Sequence, residues 1–167
     1  MIPAMARCWP ALPVALSLVA LAPSAGCASN PERLPQLDRQ FYENIETDRE
    51  QQEFLKLKKG ERQAYLEQLG LWNRWTELTA EERSGVEQRN VEVGYKQFAA
   101  HMAWGRPADE RDVTSGDRKV RFETFIRCTS GPRAGRYVRN NIDCDGTSSE
   151  VQLAIENGLV TEIKYLD

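Results

Sequence analysis

Trp104-Gly105-Arg106-Pro107 divides this 167-residue chain into two parts with different apolar periods. A glycine ends a helix without steric penalty, and a proline two residues on cannot continue one. Before this block apolar residues recur at helical spacing; after it they alternate, as in strands with one buried face. Helices first and a run of strands second read as an α+β chain, with an N-terminal helical segment, a short helix and a small antiparallel sheet.

Residues 37–59 read as one long helix carrying Phe41, Ile45, Phe54 and Leu55, polar throughout its middle and ended by Gly60. A second helix follows over 61–69, with Gly70 as its C-cap. Leu71, Trp72, Trp75 and Leu78 then share one helical face, either as core or as an aromatic platform for a ligand. Thr79-Ala-Glu-Glu82 has the spacing of a capping box, opening a helix that runs to about Asn90. Residues 95–103 form the short helix, with Phe98 and Met102 on one side.

In the second part, residues 119–128 read as a strand with Val120, Phe122, Ile126 and Cys128 inward and Arg121, Glu123 and Arg127 outward. Thr124 interrupts the inner face and Phe125 the outer one. Tyr137-Val138 fits a short strand, 151–156 a longer one, and 159–166 the last. A three-residue loop over 156–158 is expected between these last two, with Gly158 left-handed and Ile155 opposite Leu159. That register keeps Val151, Leu153 and Ile155 on the face of Leu159, Thr161, Ile163 and Tyr165.

The amino terminus carries a different signal. Arg7 is the only charge before Cys27, and residues 11–22 carry none, a run too short to span a bilayer. Pro13 and Pro23 argue against a spanning helix as well. Residues 18–29, Leu-Val-Ala-Leu-Ala-Pro-Ser-Ala-Gly-Cys-Ala-Ser, resemble the lipobox of bacterial lipoproteins. The resemblance implies that residues 1–26 are a signal peptide, that Cys27 is lipidated, and that the mature chain hangs from a membrane. Ala28, rather than Asp, after the cysteine implies the outer membrane. An ordinary signal peptide, leaving Cys27 a free thiol, is the alternative. Residues 27–36, with Pro31 and Pro35, read as a tether.

Cys8 falls in the leader, so Cys128 and Cys144 remain as an even pair in an exported chain, where a disulfide is the default. Two thiols and the distant His101 make no zinc set. Asn141, Asp143 and Asp145 with Gly146 have the start of a calcium loop, but Gln152 stands where a bidentate Glu belongs. A turn pinned by the disulfide explains the same residues. His101 has no nucleophile beside it in sequence, and Glu81-Glu82 suit a helix start. With no phosphate loop or nucleophile elbow, neither an enzyme nor a cofactor is expected.

Lys and Arg number 22 against 25 Asp and Glu, a net charge of −3, which suggests no nucleic-acid partner. The distribution is uneven. Residues 111–139 hold eight basic against three acidic side chains, and 140–167 hold one against six. Either neighbouring strands pair their charges, or a basic face meets anionic lipid.

Val91-x-Val93-Gly94, the short helix, Trp104-Gly105-x-Pro107 and the strands that follow resemble the SmpA/OmlA family. These are small outer-membrane lipoproteins, among them an accessory lipoprotein of the β-barrel assembly machinery. The resemblance covers residues 91–167. The helical segment 37–90 is extra, and 129–149 is longer than the tight hairpin expected there. What it implies is a lipid-anchored, non-enzymatic interaction module in the cell envelope, with a membrane and an envelope protein as partners. The alternative is a periplasmic lipoprotein that binds a small ligand or calcium.

Overall fold

The computed structural model of the protein describes residues 30–166; the leader and the candidate lipidation site Cys27 lie outside them. Six helices precede the sheet: α1 Gln36–Asn44, α2 Asp48–Lys56, α3 Lys59–Gln68, α4 Leu71–Thr76, α5 Ala80–Gln88 and α6 Gln97–Trp104. Five antiparallel strands follow: β1 Asp109–Ser115, β2 Arg118–Cys128, β3 Tyr137–Val138, β4 Ser148–Glu156 and β5 Leu159–Leu166. The order across the sheet is β1-β2-β4-β5. β3 lies end to end with β1 along the same side of β2. The α+β class and the disulfide are both as expected from the sequence.

The helical half departs from expectation at its start. A 3-10 turn, Pro31–Arg33, and buried Leu34 occupy part of the segment read as a tether. Residues 37–59 form two helices rather than one. Ile45 leaves the helix in an extended conformation to enter the core, and the Thr47 hydroxyl then accepts the Glu50 N–H as the cap of α2. Gly60 does not interrupt a helix; it sits in the first turn of α3. The capping box at Thr79 is as expected, with the Thr79 and Glu82 side chains each accepting the other's backbone N–H at 3.1 and 2.7 Å. Glu82 also accepts the Lys96 N–H at 2.7 Å, tying α5 to the approach of α6.

One core joins helices and sheet. Phe41, Phe54, Leu66, Val86 and Met102 pack with Phe125, Val151, Leu153 and Val160. Phe41 is fully buried, its ring 5.7 Å from that of Trp72 and 5.9 Å from that of Trp75.

Three strand expectations need correction. β1 had no sequence signal, because all seven of its residues are exposed and no apolar alternation marks them. It is held by its ladder to β2 and by ion pairs from Arg121 and Lys119 to Asp112. The Arg121 guanidinium holds the Asp112 carboxyl down at about 2.

The faces of β2 are the reverse of those inferred. Glu123 and Phe125 point into the core, while Ile126 and Cys128 close a small second cluster with Cys144 on the other face. A charge on a strand ordinarily marks the solvent face, whereas Glu123 is buried because polar partners meet it inside.

The hairpin β4–β5 also differs. Its loop has two residues, Asn157 and Gly158, both with positive φ, and Ile155 faces Val160 rather than Leu159. Asn-Gly favours this turn because both residues tolerate the left-handed region. The register conflict is settled one step further on, where an irregularity at Ala154/Ile155 leaves Thr161 without an opposite residue. Its hydroxyl donates to the Ala154 carbonyl at 3.1 Å. The bulge turns Ile163 back toward Leu153, so Val160 and Ile163 both meet the core.

Cys128 and Cys144 are bonded, with Cα atoms 5.2 Å apart, and both are buried. Closing this loop should stabilise the fold by about 3 kcal/mol through restriction of the unfolded chain. The double variant Cys128→Ala/Cys144→Ala is expected to lose about that much in urea unfolding. A loss well under about 1 kcal/mol would mean that the unfolded chain already holds these segments together.

Candidate functional site

The buried Glu123 supplies the chemistry that sequence alone did not assemble. Its carboxylate, fully excluded from solvent, receives two side chains from a single helix. Gln97 Nε2 donates to Oε1 at 2.5 Å, and His101 Nε2 lies 2.7 Å from Oε2. Gln97 and His101 stand four residues apart on α6, so they share the side that faces β2. The imidazole must carry a proton on Nε2 to donate to an ionised carboxylate.

α6 itself is fixed from several directions. Asn44 of α1 donates its amide to the His101 carbonyl at 2.8 Å, and Gln97 N–H donates to the Gly158 carbonyl at 2.8 Å. Gly105, with φ of 83°, closes the helix and sends its N–H to the same His101 carbonyl. Phe125 lies beside the imidazole, its ring centre 6.2 Å away.

His101 opens on its other side to a polar cleft of about 250 Å³, walled by Asn44, Arg74, Gln97, Arg106 and Arg121. A histidine backed by a carboxylate is two-thirds of a nucleophilic triad. Among the described residues no Ser, Thr or Cys lines this cleft. The pair fastens α6 to β2. It satisfies a charge inside the sheet and locks the short helix at one height on β2.

The residues singled out from sequence sit elsewhere. Asn141, Asp143 and Asp145 lie on or beside the 3-10 turn Asn141–Cys144, where Asn141 Oδ1 accepts from the Ser148 hydroxyl at 3.4 Å. Gln152 is in the middle of β4, paired with Thr124 and Lys164, and does not fold back onto that loop. Among the described residues no group of three His, Cys, Asp or Glu side chains converges as a metal set. Trp75 is buried in the core, 6% exposed, and Trp72 packs half-buried against it; both rings serve Phe41. Glu82 is buried as a cap, while Glu81 faces solvent.

Sequence reasoning missed Glu123 as the partner of His101. A signal was present: Gln97 and His101 are the polar members of a helix otherwise built from Phe, Ala, Met and Trp.

No family model, curated protein or solved structure matches this chain. Its function therefore rests on its own residues.

Proposed function

We propose that the protein is a lipid-anchored, non-enzymatic docking module on the periplasmic face of the bacterial outer membrane. Cys27 carries the lipid, and the domain binds another envelope protein, in barrel-protein assembly or in maintaining the envelope, as its resemblance to the SmpA/OmlA family suggests. What supports this reading is the short stretch of chain between Cys27 and the first folded turn. The first 3-10 turn begins at Pro31, and Glu32 is already bonded to Arg136 at 2.8 and 3.2 Å. Three residues beyond Cys27 reach at most about 10 Å. An acylated Cys27 would hold the domain in a thin layer at the bilayer and raise its effective concentration toward membrane partners. Among the described residues no Ser, Thr or Cys lines the cleft at His101, a lining that suits binding.

Cell fractionation tests the anchor. Cys27→Ser is expected to move the protein from the membrane pellet to the soluble periplasmic fraction, and the wild-type mass should include the acyl chains. A variant that stays in the pellet as before would overturn the proposal.

A further inference from the structure

A second groove runs between α1, the end of α6 and β3. Tyr42, Glu43, Trp104, Gly105 and Tyr137 wall a recess of about 230 Å³. It continues past Glu43 and Tyr137 into a recess of about 140 Å³ that reaches Glu32 and Arg136. Five arginines line the two recesses, Arg89, Arg106, Arg133, Arg136 and Arg139, against the two carboxylates Glu32 and Glu43. Glu32 is spent on Arg136. Arg89, Arg133 and Arg139 form no ion pair among the described residues, and Arg106 donates only to the Glu46 carbonyl. The charge of the groove is therefore opposite in sign to that of the chain as a whole.

Its walls are stiff. Trp104 and Tyr137 stack at 4.7 Å with their planes 13° apart, and Trp104 Nε1 donates to the Arg89 carbonyl at 3.0 Å. Burial pushes the Tyr137 phenol up to about 12, so it remains a neutral hydroxyl. Beside this shelf, the half-buried β3 pairs with β2 and with no other strand among the described residues. An open edge beside a shaped groove is where an extended peptide adds as a strand.

We propose that this groove binds an extended acidic segment of the partner protein, laid along the free edge of β3 with its carboxylates on Arg133, Arg139 and Arg89. On β1, the neighbouring edge strand, Asp112 is already paired with Arg121 and Lys119, whereas Arg89, Arg133 and Arg139 beside β3 hold no such partner among the described residues. The inference rests on the docking reading given above and supplies the partner's chemistry.

The test uses the full chain carrying Cys27→Ser, so that acylation plays no part. The probe is a fluorescein-labelled twelve-residue peptide alternating Glu with Val, compared with the same peptide carrying Lys in place of Glu. Fluorescence anisotropy should show saturable, salt-sensitive binding of the acidic peptide alone. Arg133→Glu/Arg139→Glu, both exposed positions, should weaken it about tenfold or more and admit the lysine peptide instead. Equal binding of both peptides, no binding of the acidic one, or no effect of the double reversal would overturn the inference. So would displacement of the peptide by an equal concentration of inorganic phosphate or of phosphatidylglycerol vesicles, since a small anion or a lipid surface would then be the better occupant. An unacylated Cys27 with intact peptide binding defeats the anchor alone; acylation without peptide binding defeats the groove alone.

Discussion

Replacing His101 by leucine is expected to cost about 3–5 kcal/mol of unfolding free energy, read from urea denaturation. The leucine fills similar space, so little of the loss comes from packing. It comes from Glu123, left inside the sheet with Gln97 as its one remaining side-chain donor. A buried charge stripped of one partner is far more costly than a pair removed together. The double variant His101→Leu/Glu123→Leu is therefore expected to recover most of the loss. That recovery separates a fastener from a residue whose removal only disturbs α6. If the double variant is as unstable as the sum of the two single ones, the pair is not coupled and the account given for it is wrong.

Phe41→Ala should be about as severe, at roughly 3–5 kcal/mol, because it empties a fully buried site between two indoles. The neighbours cannot close in easily. Trp72 and Trp75 come from a six-residue helix held between Gly70, with φ of 73°, and the capped start of α5. Tryptophan fluorescence should shift to the red as water reaches the rings. Phe41→Leu should retain most of the stability. A Phe41→Ala protein that unfolds like the wild type would show that the rings were not packed as a core, and would reopen the reading of Trp72 and Trp75 as a ligand platform.

Much of the framework was legible in the residues. Gly105 and Pro107 mark the change from helix to strand, Thr79 and Glu82 cap α5, and Cys128 pairs with Cys144. What escaped detection turns on polar residues that do structural work. Thr47 and Glu50 have the spacing of a helix start, yet they lie in a polar stretch that also suits a solvent-facing helix. Glu123 looks like the solvent side of β2 until Gln97 and His101, 26 and 22 residues earlier, are brought to it. Local alternation then assigns both faces of the strand wrongly, since Phe125 follows Glu123 inward. The β4–β5 hairpin failed for a related reason. Keeping faces consistent by loop length alone ignored the bulge at Thr161, which corrects the phase without lengthening the turn. The groove beside β3 gathers arginines from the end of α5, the segment after α6, the loop after β2 and the residue after β3, a set no single stretch of sequence displays.

β1 adds a ladder and a few ion pairs to the molecule but buries none of its side chains. A strand of that kind is a peripheral shingle: none of its side chains seals the interior. Lifting it would uncover the outer rim of β2 from Arg118 to Thr124, next in line to β3. Because β3 still covers β2 at Ile126 and Arg127, the bared rim would be a separate landing of seven residues, one strand nearer the centre than the outer side of β3.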